Sequence, residues 1–94
     1  MFIISLTYTA PMDEVEGFLE SHVTWLKRGY EQGIFIASGR KNPRTGGVIL
    51  ARSIERAALE DFLKQDPFQA VASYEVINFQ PSMTSDSFAM LSRV

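Results

Sequence analysis

The chain has 94 residues, of which 46% are hydrophobic and 21% are charged, so we expect one folded domain with a modest core. Its formal net charge of −2 disfavours nucleic-acid binding, which usually needs a basic face. The absence of cysteine excludes disulfides and thiolate metal sites. No apolar run approaches the ~20 residues of a membrane helix, and the chain opens on a strand pattern rather than a signal peptide. We therefore expect a cytoplasmic protein with no membrane partner.

The first half of the chain carries signals for strand, helix and strand. Residues 2–9 are rich in β-branched and aromatic side chains, which predicts a strand. Asp13 is a suitable N-cap for a helix that continues to about Gln32, and Gly33 is a suitable stop. Residues 34–39 again have strand composition, so they predict the second strand.

The second half predicts the same kinds of element after a polar loop at residues 40–46. Residues 47–52 predict the third strand, and residues 53–65 predict a helix whose N-cap is Ser53. This helix should end before Pro67, because the residue preceding a proline avoids the α region. Residues 74–80 predict the fourth strand. The side chains of the second helix expected to face the core are Ile54, Ala57, Ala58, Leu59 and Phe62.

This order of elements predicts an α+β, ferredoxin-like βαββαβ fold with a four-stranded antiparallel sheet and both helices on one face. The strands are apolar at consecutive positions, whereas two helices can cover only one face. We therefore expect a second copy to pack on the other face, giving a homodimer; the alternative is that short strands are simply hydrophobic. Residues 1–81 should form the domain, and residues 82–94 a tail that packs on the body or on the partner subunit.

The only histidine, His22, falls on the apolar face of the first predicted helix, together with Val15, Phe18, Leu19 and Leu26. A histidine in that position is usually a core residue, but its titration near neutral pH also suits acid–base catalysis. No second histidine and no acidic cluster accompany it at ligand spacing, so we expect no metal site.

Asp66 is the second candidate for a functional role. Its ordinary role before a proline would be turn chemistry, in which the carboxylate accepts nearby backbone N–H groups. In this fold, however, the end of the second helix can approach the middle of the first. A carboxylate that reached His22 would orient the ring and make it a better base. The sequence leaves both roles open.

The loop at residues 40–46 carries three basic side chains, those of Arg40, Lys41 and Arg44. They can hold an anionic or phenolate substrate, or they can form an ordinary charged loop. Neither a Walker pattern nor GxGxxG is present, so the adjacent glycines do not indicate a phosphate site. RNA-binding domains with this strand order carry aromatic residues on the third strand, and residues 47–52 contain none, which argues against RNA.

Four motifs in this order resemble the YciI-like (YCII-related) family. They are a helix with a central histidine, the strand GIFIASG, a glycine-rich hairpin into GVILA, and DPF followed by YEVINF. The resemblance extends from about residue 2 to residue 81. The sequence departs from it at Arg40, where many members have proline, and in the glycine-free stretch QAVAS.

The resemblance implies a dimeric α+β barrel whose active site pairs His22 with Asp66. It also implies a cofactor-free lyase or isomerase that abstracts a proton from a small ring substrate. The remaining alternatives are a non-catalytic module that binds a small metabolite and a purely structural dimer. The candidates for binding the substrate are Ser38, Arg40, Lys41 and Phe68.

Overall fold

The computed structural model describes all 94 residues, and its elements follow the predicted order. The strands and α-helices are, in chain order, β1 (Phe2–Tyr8), α1 (Met12–Gly17), α2 (Leu19–Glu31), β2 (Phe35–Arg40), β3 (Gly46–Ala51), α3 (Arg56–Leu63) and β4 (Ala72–Asn78). Turns of 3₁₀ helix occur at Pro67–Ala70 and Asp86–Arg93. None of the helices is both long enough and apolar enough to cross a membrane.

The four strands form one antiparallel sheet in the order β2-β3-β1-β4. The central strand β1 pairs on both sides, so that Ile4 lies opposite Ile49 and Val76. Ile4 belongs to the same buried cluster as Trp25 of α2 and Leu59 of α3, so the core lies between one sheet face and the helices. This arrangement confirms the predicted ferredoxin-like fold.

The first predicted helix is two helices in the structure. Gly17 ends α1, Phe18 forms the break with φ −103°, and α2 then begins. Glycine is among the least favourable residues inside a helix, which accounts for the position of the break. Asp13 is not the N-cap: Pro11 occupies that position, and no side chain caps the first turn. The predicted stop is confirmed, because Gly33 takes φ +72°, a conformation that favours glycine.

The second predicted helix is α3 in the structure. It begins at Arg56, later than predicted, and Ser53 does not cap it. The hydroxyl of Ser53 instead accepts a hydrogen bond from the amino group of Met1 at 2.9 Å and donates one to the carbonyl of Val94 at 3.0 Å. Ser53 therefore joins the two ends of the chain rather than starting the helix.

The core-facing side of α3 also differs from the prediction. Leu59 and Phe62 are buried as expected, but Leu63 joins them, whereas Ala57 and Ala58 are exposed. The buried residues have the i, i+3, i+4 spacing of one helical face, and the two alanines fall outside it. The expectation that these alanines face the core is therefore wrong.

The sheet face that the helices leave open carries an apolar row. The register places Ala37, Leu50, Ile3 and Ile77 side by side, one on each strand. Side chains alternate between the faces of a strand, so these four point away from the buried Ile4. Ile77 is 43% exposed. A single chain thus leaves an apolar strip in contact with solvent.

Candidate functional site

A cavity of about 240 Å³ lies between α2, the sheet and the connection from β2 to β3. Its polar lining residues are Tyr8, His22, Ser38, Arg40 and Arg44, and the rest of its lining is apolar or glycine. An enclosed apolar site of ~150 Å³ is known to accept benzene. The cavity therefore suits one substituted ring rather than a large cofactor.

His22 and Asp66 meet beside this cavity. Nδ1 of His22 lies 2.7 Å from Oδ1 of Asp66; the aspartate side chain is fully buried and that of the histidine is 11% exposed. Because a carboxylate can only accept, Nδ1 carries the proton between them. In the neutral ring Nε2 then carries the lone pair, and it makes no hydrogen bond within the chain. It is the ring nitrogen available to a molecule in the cavity.

Asp66 is held by two further donors. The backbone N–H of Phe68 donates to Oδ1 at 2.9 Å, and the hydroxyl of Tyr74 donates to Oδ2 at 2.6 Å. The first of these bonds makes Asp66 the cap of the 3₁₀ turn Pro67–Ala70. The two roles that the sequence left open, turn chemistry and orientation of the histidine, are thus both performed by one carboxylate.

Tyr74→Phe is expected to lower the free energy of unfolding by about 1–2 kcal/mol at neutral pH, through loss of a charge-assisted hydrogen bond. Burial, and then the bond to the Asp66 carboxylate and its charge, raise the pKa of Tyr74 well above its usual value near 10. The unfolded phenol ionises first, so this contribution is complete below about pH 10 and declines as the pH rises further. Urea unfolding at neutral pH and near pH 10.5 measures it.

The difference between wild type and Tyr74→Phe should therefore shrink at the higher pH. Tyr30→Phe, which removes an exposed phenol, is the matched control and should show no such change. An equal difference between wild type and Tyr74→Phe at both pH values contradicts the assignment.

Aromatic rings fix the plane of the imidazole. The ring of Phe68 stacks on His22 with centroids 3.8 Å apart and an interplanar angle of 4°. The ring of Trp25 stacks on the imidazole of His22 at a larger centroid distance, 5.6 Å. The indole N–H of Trp25 donates to the carbonyl of Phe62 at 3.0 Å. Trp25 is a packing residue of the core, whereas Phe68 both supports the histidine and lines the cavity.

Of the four predicted substrate-binding residues, Ser38, Arg40 and Phe68 line the cavity and Lys41 does not. The Lys41 ammonium donates instead to Oγ1 of Thr7 at 3.2 Å. Ser38 Oγ lies 2.7 Å from the hydroxyl of Tyr30, so its orientation is fixed. The basic residue that joins Arg40 at the cavity is Arg44 rather than Lys41.

Sequence reasoning missed two tyrosines of this site. Tyr74 lies opposite Leu6 in the register, on the core-facing side of β4, and Tyr8 lines the cavity. Strand alternation gives a signal for Tyr74, because a phenol on a core-facing position usually needs a hydrogen-bond partner. The same alternation gives a signal for Tyr8, which lies on the face of β1 that carries the buried Ile4 and Leu6.

Comparison with known proteins bears on the fold and the family. The structure is similar to that of the 5-chloro-2-hydroxyhydroquinone dehydrochlorinase TftG from Burkholderia phenoliruptrix AC1100, in complex with 2,5-dihydroxybenzoquinone. The TM-score is 0.67 at 14% identity, with 84% of this chain and 93% of that chain covered, a likeness that concerns the fold. No curated protein sequence matches the chain. The model of the YCII-related domain matches residues 1–80, and the chain therefore belongs to the YCII-related family.

Proposed function

We propose that the protein is a cofactor-free enzyme of the lyase or isomerase type, which removes a proton from a small ring substrate. His22 is the general base, and Asp66 holds its tautomer and stabilises the imidazolium that forms. The observation that carries this proposal is the 2.7 Å contact between His22 Nδ1 and the buried Asp66. His22 lines the cavity, so its Nε2 is the nitrogen that can act on a substrate there. A positioned base of this kind contributes ~10²–10⁴ in rate.

The surroundings suit such a base. Asp66 keeps its orientation because Phe68 and Tyr74 also donate to it. The stacked Phe68 ring restrains the imidazole, so the lone pair on Nε2 has a defined direction. Preorganisation of this kind lowers the cost of reaching the transition state.

Elimination from a chlorinated hydroxyhydroquinone is the reaction that we propose to test, because TftG, whose fold this chain shares, is named for it. His22 would take a proton from one hydroxyl and return it to the carbon that bears chlorine. Chloride then leaves with its bonding electrons while a second hydroxyl loses its proton. The sum is loss of HCl and formation of a hydroxyquinone, which requires no external oxidant.

The test is chloride release from 5-chloro-2-hydroxyhydroquinone under anaerobic conditions, with quinone absorbance as the second readout. Wild type should accelerate release, and His22→Gln should lose about 10²–10⁴ of that acceleration while keeping its circular dichroism spectrum. Lys27→Gln, exposed on the same helix, is the matched control and should behave as wild type. Full activity in His22→Gln, or no acceleration by wild type, would reject this reaction.

We also propose that the working unit is a homodimer in which a second copy covers the apolar row of the sheet. The support is that Leu50, Ile3 and Ile77 lie on a face that no helix of the chain covers. The tail supports it too, because Phe88 and Met90 are 58% and 60% exposed in the single chain. We propose that these tail residues contact the partner subunit, which would remove them from water.

A further inference from the structure

The charged side chains that line the cavity are all basic. Arg40 and Arg44 both contribute to the lining, and no aspartate or glutamate does. Asp66 does not line the cavity, and its two oxygens are already engaged by His22, Phe68 and Tyr74. The formal charge of the residues that line the cavity is therefore positive, which favours an anionic occupant.

Arg44 differs from the other buried polar groups in having an atom without a partner. Its Nε–H is buried and donates no hydrogen bond within the chain. Only the outer end of the guanidinium has a contact, a 3.5 Å approach of Nη1 to Oε1 of Glu16. Buried donors in native proteins are almost always satisfied. The guanidinium of Arg44, a residue that lines the cavity, therefore has donors that the chain itself does not satisfy.

Arg44 also has a fixed backbone position. The loop that carries it is closed by the hydrogen bond from Lys41 N–H to the Gly46 carbonyl at 2.9 Å. It is attached to β1 by the bond from Tyr8 N–H to the Thr45 carbonyl, also at 2.9 Å. The backbone of Arg44 is thus held beside the cavity by pairing on both sides of the residue, which limits where its side chain can reach.

We propose that Arg44 determines substrate specificity by donating a hydrogen bond from its guanidinium to an anionic oxygen on a single-ring substrate. This inference rests on the proposed function and names its substrate class: phenolates, hydroxyquinone anions or ring carboxylates, in preference to neutral rings. An ionised donor gives a stronger and more directional bond than a neutral one. The same charge stabilises the negative charge that develops when His22 removes a proton.

The binding test uses 2,5-dihydroxybenzoquinone, whose acidic hydroxyls are ionised at neutral pH, titrated into the full-length protein by calorimetry. Wild type should bind it, and Arg44→Gln should weaken binding about tenfold or more, the effect of one lost charge-assisted hydrogen bond. Arg44→Lys should fall between the two, because it keeps the charge without the planar donor. Arg52→Gln, an exposed arginine outside the cavity, is the matched control and should bind as wild type.

Two further titrations separate this inference from the catalytic proposal. His22→Gln should bind the anion within about threefold of wild type, since the proposed anion site is Arg44, and yet release no chloride. Neutral 1,4-hydroquinone should bind wild type more weakly than the anion, and equally in wild type and Arg44→Gln. If catalysis fails but anion binding depends on Arg44, the inference stands. Equal anion affinity in wild type and Arg44→Gln, or no anion binding by wild type, overturns it.

Discussion

Replacing Asp66 by alanine is expected to destabilise the fold and abolish turnover together. The substitution leaves three donors without an acceptor: Nδ1–H of His22, the backbone N–H of Phe68 and the hydroxyl of Tyr74. Each buried donor that loses its acceptor costs about 1–3 kcal/mol. Domains of this size have only ~5–15 kcal/mol of stability, so the melting temperature should fall by more than about 10 °C.

Asp66→Asn separates the structural role from the chemical one. The amide has almost the same volume and one oxygen acceptor, so we expect a smaller loss of stability than with alanine. Turnover should still fall by about 10²–10⁴, because a neutral amide neither fixes the Nδ1–H tautomer nor stabilises the imidazolium. Urea unfolding measures the first effect, and chloride release measures the second.

The tautomer can be observed directly. His22 is the only histidine, so ¹⁵N NMR of the ring needs no assignment; wild type should show the proton on Nδ1. Asp61→Asn, an exposed aspartate on α3, is the control for both stability and activity. Wild-type turnover together with an unchanged tautomer in Asp66→Asn would show that the pair has no catalytic role.

Leu50→Lys is expected to convert a dimer into a monomer. Leu50 lies on the inner strand β3, between Ala37 and Ile3 in the apolar row of the open face. A lysine there would place a charge from each copy in the interface without a partner, which costs several kcal/mol in a desolvated contact. In the isolated chain the same ammonium reaches water, so the fold itself should persist.

Sedimentation equilibrium decides this prediction. Wild type should have twice the mass of one chain, and Leu50→Lys the mass of one. Ala57→Lys introduces the same charge at an exposed position on α3 and should leave the wild-type mass unchanged. A monomeric wild type, or a variant that keeps the dimer mass, contradicts the proposed interface.

Most of the elements could be predicted from the sequence because their signals are local. Strand composition located β1, β2, β3 and β4 to within about two residues, and Gly33 marked the end of α2. The errors lie at helix starts. Asp13 has the composition of a cap, but the neighbouring Pro11 occupies the cap position of α1. Ser53 also has that composition, but its hydroxyl bonds Met1 and Val94, two residues far away in the chain that only tertiary contacts bring near.

The site shows the same division. His22 and Asp66 were identifiable as residue types suited to acid–base chemistry, but they are separated by 44 positions, and only the packing of the 3₁₀ turn against α2 brings them to 2.7 Å. The choice of Arg44 over Lys41 at the cavity was likewise not local. The two lie three residues apart in one loop. Pairing of that loop with β1 places Arg44 at the cavity and Lys41 at Thr7.

The sequence by itself determined the order of the elements and the chemistry available, because these follow from composition and periodicity. Only the tertiary structure decided which of those groups meet, because side-chain direction depends on contacts between segments far apart in the chain.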